Sequence, residues 1–238
     1  MNAEPPAIRY PDLDTLSRKQ SDGIASDLAA AIAARGLASL VVSGGRSPVG
    51  LFECLRAQAF DWSRVCVTLA DERWVDPSDP DSNERLVHDV LLKERAAVAQ
   101  FHGLKNAAAT PDLGAVLAWK ALANVPRPFD VVVLGMGDDG HTASLFPGSP
   151  NLAVALDQTA SAGCVGMRAP SPPYARLSLN LAALLDSRRI VVLIAGEGKW
   201  HTYTAATQPG PEELMPVRAV LRQRRTRVDV VWSPGAGS

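Results

Sequence analysis

Apolar side chains recur along this chain with two different periods, and the switching between them predicts most of its elements. Leu13, Leu16, Ile24, Leu28 and Ile32 fall at mostly helical spacing, residues 29–34 are strong helix formers, and Gly36 stands where a C-terminal cap belongs. Residues 37–42 instead form a short, mostly apolar run with β-branched members, the pattern of a buried strand. Residues 43–48 interrupt it, and residues 49–59 resume a helical pattern with Pro48 near its start. The cycle then repeats. A strand is predicted over 64–69, a loop dense in Asp and Pro over 70–81, a helix over 82–93 capped by Ser82 or Asn83, and a further helix over 113–123. Residues 130–134 predict a third buried strand, followed by a glycine-rich loop over 135–140. Residues 189–195 predict a fourth strand, 197–206 a helix and 228–232 a last strand, with surface loops over 169–173 and 207–211.

Strands separated by helical stretches imply an α/β fold: a mainly parallel sheet, open and doubly wound, with helices on both faces and right-handed crossovers. Ligands of such sheets bind beyond the carboxyl ends of the strands. The chain has 238 residues and no internal repeat, low-complexity tract or clear linker, so one catalytic domain over 1–238 is expected. A domain of this size buries about 70% of its unfolded surface, enough to need neither disulfide nor structural metal.

Charge removes further classes. Lys and Arg number 24 against 25 Asp and Glu, so the basic excess usual in nucleic-acid proteins is missing and no such partner is expected. Cys54, Cys66 and Cys164 are an odd number among apolar neighbours, with no paired spacing, as free thiols in a reducing compartment would be. Residues 1–11 are polar and lack an apolar signal core, and no apolar run approaches the roughly 20 residues that span a bilayer. A cytoplasmic protein without a membrane partner is the expectation. The sequence leaves the oligomeric state open, and a monomer is compatible with it.

Four polar segments carry candidate chemistry, three of them directly after a predicted strand. In the first, Ser43, Gly44, Gly45 and Arg46 precede a helix, where glycines let backbone approach a ligand and unpaired N–H groups meet an anion. A plain tight turn is the alternative, and the Gly-Lys-Ser/Thr ending of a nucleotide loop is absent. The second, Asp71-Glu72-Arg73-Trp74, is either a structural ion-pair cluster or a rim where an acid orients substrate and Arg73 faces developing negative charge. The third, Gly135 to Thr142, fits GxGxxG superficially, but Asp138 and Asp139 would set two negative charges beside a pyrophosphate. Catalysis suits it better: His141 is a natural general base and Asp139 can hold its ring. Asp71, Asp139 and His141 are a thin metal set in a chain with four histidines, and no metal is expected. The fourth, Gly196-Glu197-Gly198-Lys199, sets a lysine at a helix start, poised for phosphate or simply solvated. Arg168 and Arg176, flanking a Pro-rich turn, are weaker candidate cations.

Taken in order, these segments resemble a known family. Ser43-Gly44-Gly45-x-x-Pro48, Asp71-Glu72-Arg73-Trp74-Val75 followed by Ser82-Asn83, the run from Gly135 through Asp139-Gly140-His141 to Pro147-Gly148, Arg176-Leu177-Ser178-Leu179 and Gly196-x-Gly198-Lys199 are similar to the motifs of the 6-phosphogluconolactonases. The resemblance covers nearly the whole chain. It implies a fold of the glucosamine-6-phosphate deaminase type and hydrolysis of 6-phospho-D-glucono-1,5-lactone, a sugar-phosphate lactone, in the oxidative pentose phosphate pathway, without metal or organic cofactor. It also implies that His141 is the catalytic base with Asp139 beside it, and that Lys199 and an arginine, Arg168 or Arg176, hold the phosphate. Gly140 and Ser149, within and just past the third motif, join the candidate substrate contacts. The related deaminases carry an acid directly before the Pro-Gly where this chain has Phe146, which favours the lactonase. A non-catalytic sugar-phosphate sensor would have no need of the Asp139–His141 pair.

Overall fold

The computed structural model describes residues 6–235. Of the polar amino-terminal segment, residues 1–5 therefore lie outside the described residues. The strands are β1 Ile8–Arg9, β2 Ala38–Val42, β3 Val65–Leu69, β4 Asp71–Arg73, β5 Gln100–His102, β6 Val131–Leu134, β7 Cys164–Arg168, β8 Ala175–Leu179, β9 Arg189–Ala195 and β10 Arg227–Ser233. The helices are α1 Leu13–Arg35, α2 Val49–Arg56, α3 Asn83–Leu86, α4 Pro111–Ala121, α5 Leu152–Leu156, α6 Leu181–Leu185, α7 Glu197–Ala206 and α8 Val217–Arg222.

Seven strands form one parallel sheet in the order β1-β10-β9-β6-β2-β3-β5. Every residue of β2, β3 and β6 is buried, on both sides of the pleat, so both faces of the sheet are covered. The fold is thus the mainly parallel α/β arrangement that the alternation of periods predicts. Its order has a reversal: from β2 the chain builds outward through β3 to β5, then returns to lay β6 on the other side of β2 and continues to β9 and β10. The loops after β2 and β6 consequently diverge across a crevice at the carboxyl edge.

Helix α1 begins as its sequence requires, with Asp12 accepting from the Thr15 amide (2.6 Å), and Gly36 ends it in the left-handed conformation. Thr110 caps α4, with Pro111 in its first turn, so that helix starts two residues before its predicted onset. The predicted helix over 82–93 is only partly α. Ser82 caps the short α3, and residues Val87–Leu91 continue as a π turn. The three cysteines are free, and desolvation pushes the Cys164 thiol up to about 12.

The larger departure from the sequence pattern is a second sheet, antiparallel, in the order β4-β8-β7. Residues 71–73, expected in a loop, are its first strand. The chain changes sheets at Ala70, whose amide donates to Val42 O (2.8 Å) in the large sheet and whose carbonyl accepts from Leu179 N (2.8 Å) in the small one. Helix α4 packs on β7 and β8. The small sheet is thereby fixed against the carboxyl edge of the large one.

Candidate active site

An open cleft of about 360 Å³ lies at the reversal, and Ser43, Gly44, Gly45, Arg46, Asp71, Arg73, His141, Arg176 and Lys199 all line it. Segments far apart in sequence meet there because each either follows a strand of the large sheet or lies in a strand of the small one.

The loop after β2 leaves along its neighbour, Ser43 N donating to Val133 O (3.0 Å). The Ser43 hydroxyl is buried without a partner. Gly44 lies so close to Asn83 that a Cβ there would overlap the Asn83 amide oxygen. Arg46 is exposed at the rim.

The loop after β6 is folded around a dyad. Asp139 Oδ1 accepts from the His141 amide (3.0 Å) and lies 2.6 Å from His141 Nδ1. A carboxylate only accepts, so Nδ1 carries the proton and Nε2 of the neutral ring is left with a free lone pair. Burial opposes ionisation of Asp139, but the bonds from the His141 ring and backbone outweigh it and hold the carboxyl below the ordinary range. The Phe146 ring lies against the imidazole, with centroids 4.3 Å apart. Gly137 sits under the pair: a Cβ there would overlap the imidazole and lie 2.6 Å from Asp139 Oδ1. Gly140 does not line the cleft. Its amide donates to Gly137 O (3.1 Å) and its carbonyl accepts from Val217 N (2.9 Å), tying the loop to α8.

The small sheet supplies the opposite wall. Register places Arg73 directly across from Arg176, two like charges in an antiparallel pair, which is unfavourable unless an anion lies between or beside them. Arg73 Nη1 donates to Asp81 O (3.1 Å) and to Asn83 Oδ1. Arg176 is buried with Nη1 unpartnered; burial and then Arg73 depress its pKa. Asp71 accepts from the Ser144 hydroxyl at Oδ2 (2.6 Å) and from Asn83 Nδ2 at its backbone oxygen (2.8 Å). Glu72 points away from this surface. Its carboxylate accepts from the amides of Arg73, Asn83 and Glu84 and from the Ser82 hydroxyl, so it fastens α3 to β4. Burial raises its pKa while those amides oppose the rise. Trp74 is a packing residue, with Nε1 bonded to Ala108 O (3.2 Å).

Lys199, in the first turn of α7, lines the cleft, and its Nζ pairs with Asp138 Oδ1 (2.9 Å). The two remaining candidates lie elsewhere. Arg168 is exposed, its guanidinium 5.2 Å from the centroid of the Tyr174 ring, and Ser149 Oγ accepts from the Arg168 amide (3.0 Å). Of the two candidate arginines, the structure brings Arg176 to the cleft and leaves Arg168 outside. Asn83 and Ser144 also belong to the site through their bonds to Asp71; the sequence offers Asn83 as one of two helix caps and carries both residues within the family motifs, with no site role for either. Among the described residues no three His, Cys, Asp or Glu side chains gather as a metal-ion site. No helix among them is long and apolar enough to cross a membrane.

Chemically, this is a free imidazole nitrogen backed by a carboxylate, facing a wall with an unpartnered guanidinium, with a lysine at one side. Such a set can deprotonate a water and hold an anionic ligand.

The chain resembles known proteins both in sequence and in shape. The family described as glucosamine-6-phosphate isomerases/6-phosphogluconolactonase matches residues 11–232. The chain is 45% identical to the 6-phosphogluconolactonase of Rhizobium meliloti (strain 1021), covering 92% of this chain and 94% of that protein. It is 47% identical to the one from Pseudomonas aeruginosa, covering 91% of each. A crystal structure of a 6-phosphogluconolactonase from Shewanella baltica OS155 superposes with a TM-score of 0.93 at 47% identity, over 97% of this chain and 98% of that one. The chain belongs to the glucosamine-6-phosphate isomerase/6-phosphogluconolactonase family.

Proposed function

We propose that this chain hydrolyses 6-phospho-D-glucono-1,5-lactone to 6-phosphogluconate, the lactonase step of the oxidative pentose phosphate pathway, as one cytoplasmic catalytic domain needing no metal or organic cofactor. Its partner is the sugar-phosphate lactone and not a nucleic acid. The observation that carries the reading is the Asp139–His141 contact of 2.6 Å with the Phe146 ring against the imidazole. That constellation offers one base and no second proton carrier where the deaminase pattern places an acid.

His141 Nε2 takes a proton from water, whose oxygen bonds to the lactone carbonyl carbon. The resulting imidazolium is stabilised by Asp139. Negative charge moves onto the carbonyl oxygen, towards Arg73. Collapse of the tetrahedral intermediate breaks the bond to the ring oxygen, and His141 returns its proton to that oxygen as it becomes a hydroxyl. Lys199, Arg176 and the amides of the Ser43–Arg46 loop hold the phosphate, while Asp71, fixed by Ser144, faces the sugar hydroxyls. Lactone hydrolysis thus proceeds without a covalent intermediate.

The test is a pair of assays on one preparation. Acid release from fresh phospholactone, corrected for spontaneous opening, should exceed the uncatalysed rate, and glucosamine 6-phosphate should yield no ammonia. Ammonia release without lactone hydrolysis would replace this reading with deamination.

A further inference from the structure

Asp138 and Asp139 are consecutive carboxylates with opposite fates. Asp139 is turned to the imidazole, whereas the Asp138 side chain is 84% exposed and reaches across to Lys199 Nζ at 2.9 Å. The lysine is the more buried partner, 24% exposed, and lines the cleft. The loop has a second tie here: Thr202 Oγ1, one turn along α7 from Lys199, can donate to the Asp138 carbonyl oxygen (3.2 Å), which shares the one hydroxyl proton with Gly198 O (3.2 Å). That tie uses the Asp138 backbone and does not depend on its side chain.

We infer that Asp138 is an internal competitor for the anion subsite: its carboxylate occupies Lys199 and must be displaced by the incoming phosphate. The inference rests on the reading of Lys199 as a phosphate ligand. Displacement makes binding weaker in two ways. The Asp138–Lys199 attraction is lost, and a displaced carboxylate stays beside the bound anion and repels it. The cost of displacement is the same for any anion, whereas the repulsion grows with ligand charge, so Asp138 weakens a dianionic phosphate ester more than a singly charged anion of similar shape. Because Asp138 is exposed, solvent and salt screen it, and the effect is modest. Exposed ion pairs of this kind shift equilibria by roughly two- to fivefold.

Three variants test it, with steady-state kinetics on the phospholactone and competitive inhibition by inorganic phosphate. Asp138→Asn should lower both KM and the phosphate inhibition constant by roughly two- to fivefold while kcat stays within about twofold. Asp138→Glu should return both constants towards the parent. Lys199→Ala should weaken phosphate inhibition. If it does, and Asp138→Asn leaves the inhibition constant unchanged, the competitor role is wrong. If Asp138→Asn raises KM, the carboxylate preorganises Lys199 instead, and the proposal is overturned with the opposite sign. If Lys199→Ala leaves phosphate inhibition untouched, the phosphate reading of Lys199 fails and takes this inference with it.

Discussion

Two arginines at strand positions are withdrawn from solvent, Arg176 buried and Arg189 half-buried, and their surroundings are opposite. Arg189, at the start of β9, donates to Asp229 Oδ2 (2.7 Å), Asp27 Oδ2 (2.8 Å) and Gln20 Oε1 (3.2 Å), tying α1 to the sheet. Burial lowers its pKa, but the two carboxylates more than reverse that and hold the guanidinium above its ordinary value. Arg176 in β8 has Arg73 across the ladder and an unpartnered nitrogen, and its pKa is depressed. One guanidinium is spent on the fold, with its charge satisfied inside the chain. The other is left unsatisfied in a cleft, so its missing partner has to come from solution. The difference separates structural from ligand-seeking charge without reference to any bound molecule.

The contrast breaks most visibly at the imidazole. If the groups of the cleft serve a reaction and not the fold, His141→Ala should lower kcat roughly 10²–10⁴-fold with the melting temperature little changed. A kcat within about threefold of the parent would remove His141 from the mechanism. Next, Arg176→Met should raise KM for the phospholactone roughly 10- to 150-fold, the scale of a lost charged hydrogen bond, while thermal stability holds or improves as the repulsion with Arg73 disappears. A clear drop in melting temperature with KM unchanged would make Arg176 structural, like Arg189. Arg189→Met should do the reverse, leaving KM alone and costing on the order of 2–3 kcal/mol in a denaturant titration. That is below the usual cost of breaking a buried pair, because Arg227 stays on Asp229 and Asp27 is half exposed. The smallest effect is in the pH profile. Asp139 is held below the ordinary carboxylate range by its bonds from the His141 ring and backbone, so it stays ionised where ordinary carboxylates begin to protonate. On acidification the limiting slope of log kcat should then not exceed about one, because Asp139 contributes no second proton. A slope approaching two would require a second group.

What the sequence made legible follows the same division. The central strands β2, β3, β6 and β9 are mostly apolar, interrupted only by Ser39, Thr68 and the leading Arg189, because both faces are covered, and such segments stand out without a partner in view. The edge strands β1 and β5 have two and three residues, too few to show a period. The small sheet was hidden for another reason. Asp71–Arg73 is entirely charged and becomes a strand only because β8 pairs with it. Arg176-Leu177-Ser178-Leu179 does alternate, and that alternation was the available signal for β8. Candidate residues on loops after central strands, Ser43 to Arg46 and His141, could be placed in a cleft from strand order alone. Choosing between Arg168 and Arg176 needed the register, since both end segments of the same Pro-rich turn and only pairing shows that Arg176 faces Arg73.

The space under the dyad has a consequence for how this chain can vary. Position 137 has no functional group, yet the His141 ring and the Asp139 carboxylate fill the volume any side chain would need. Every substitution there, alanine included, must push apart the two groups whose separation sets the orientation of the base. A scan of all single replacements scored by activity would therefore mark Gly137 as intolerant as His141 itself, and chemical rescue with added imidazole would restore neither its shape nor its rate. Emptiness at that one position is inherited along with the catalytic pair, and a lineage can change it only by giving up the geometry above it.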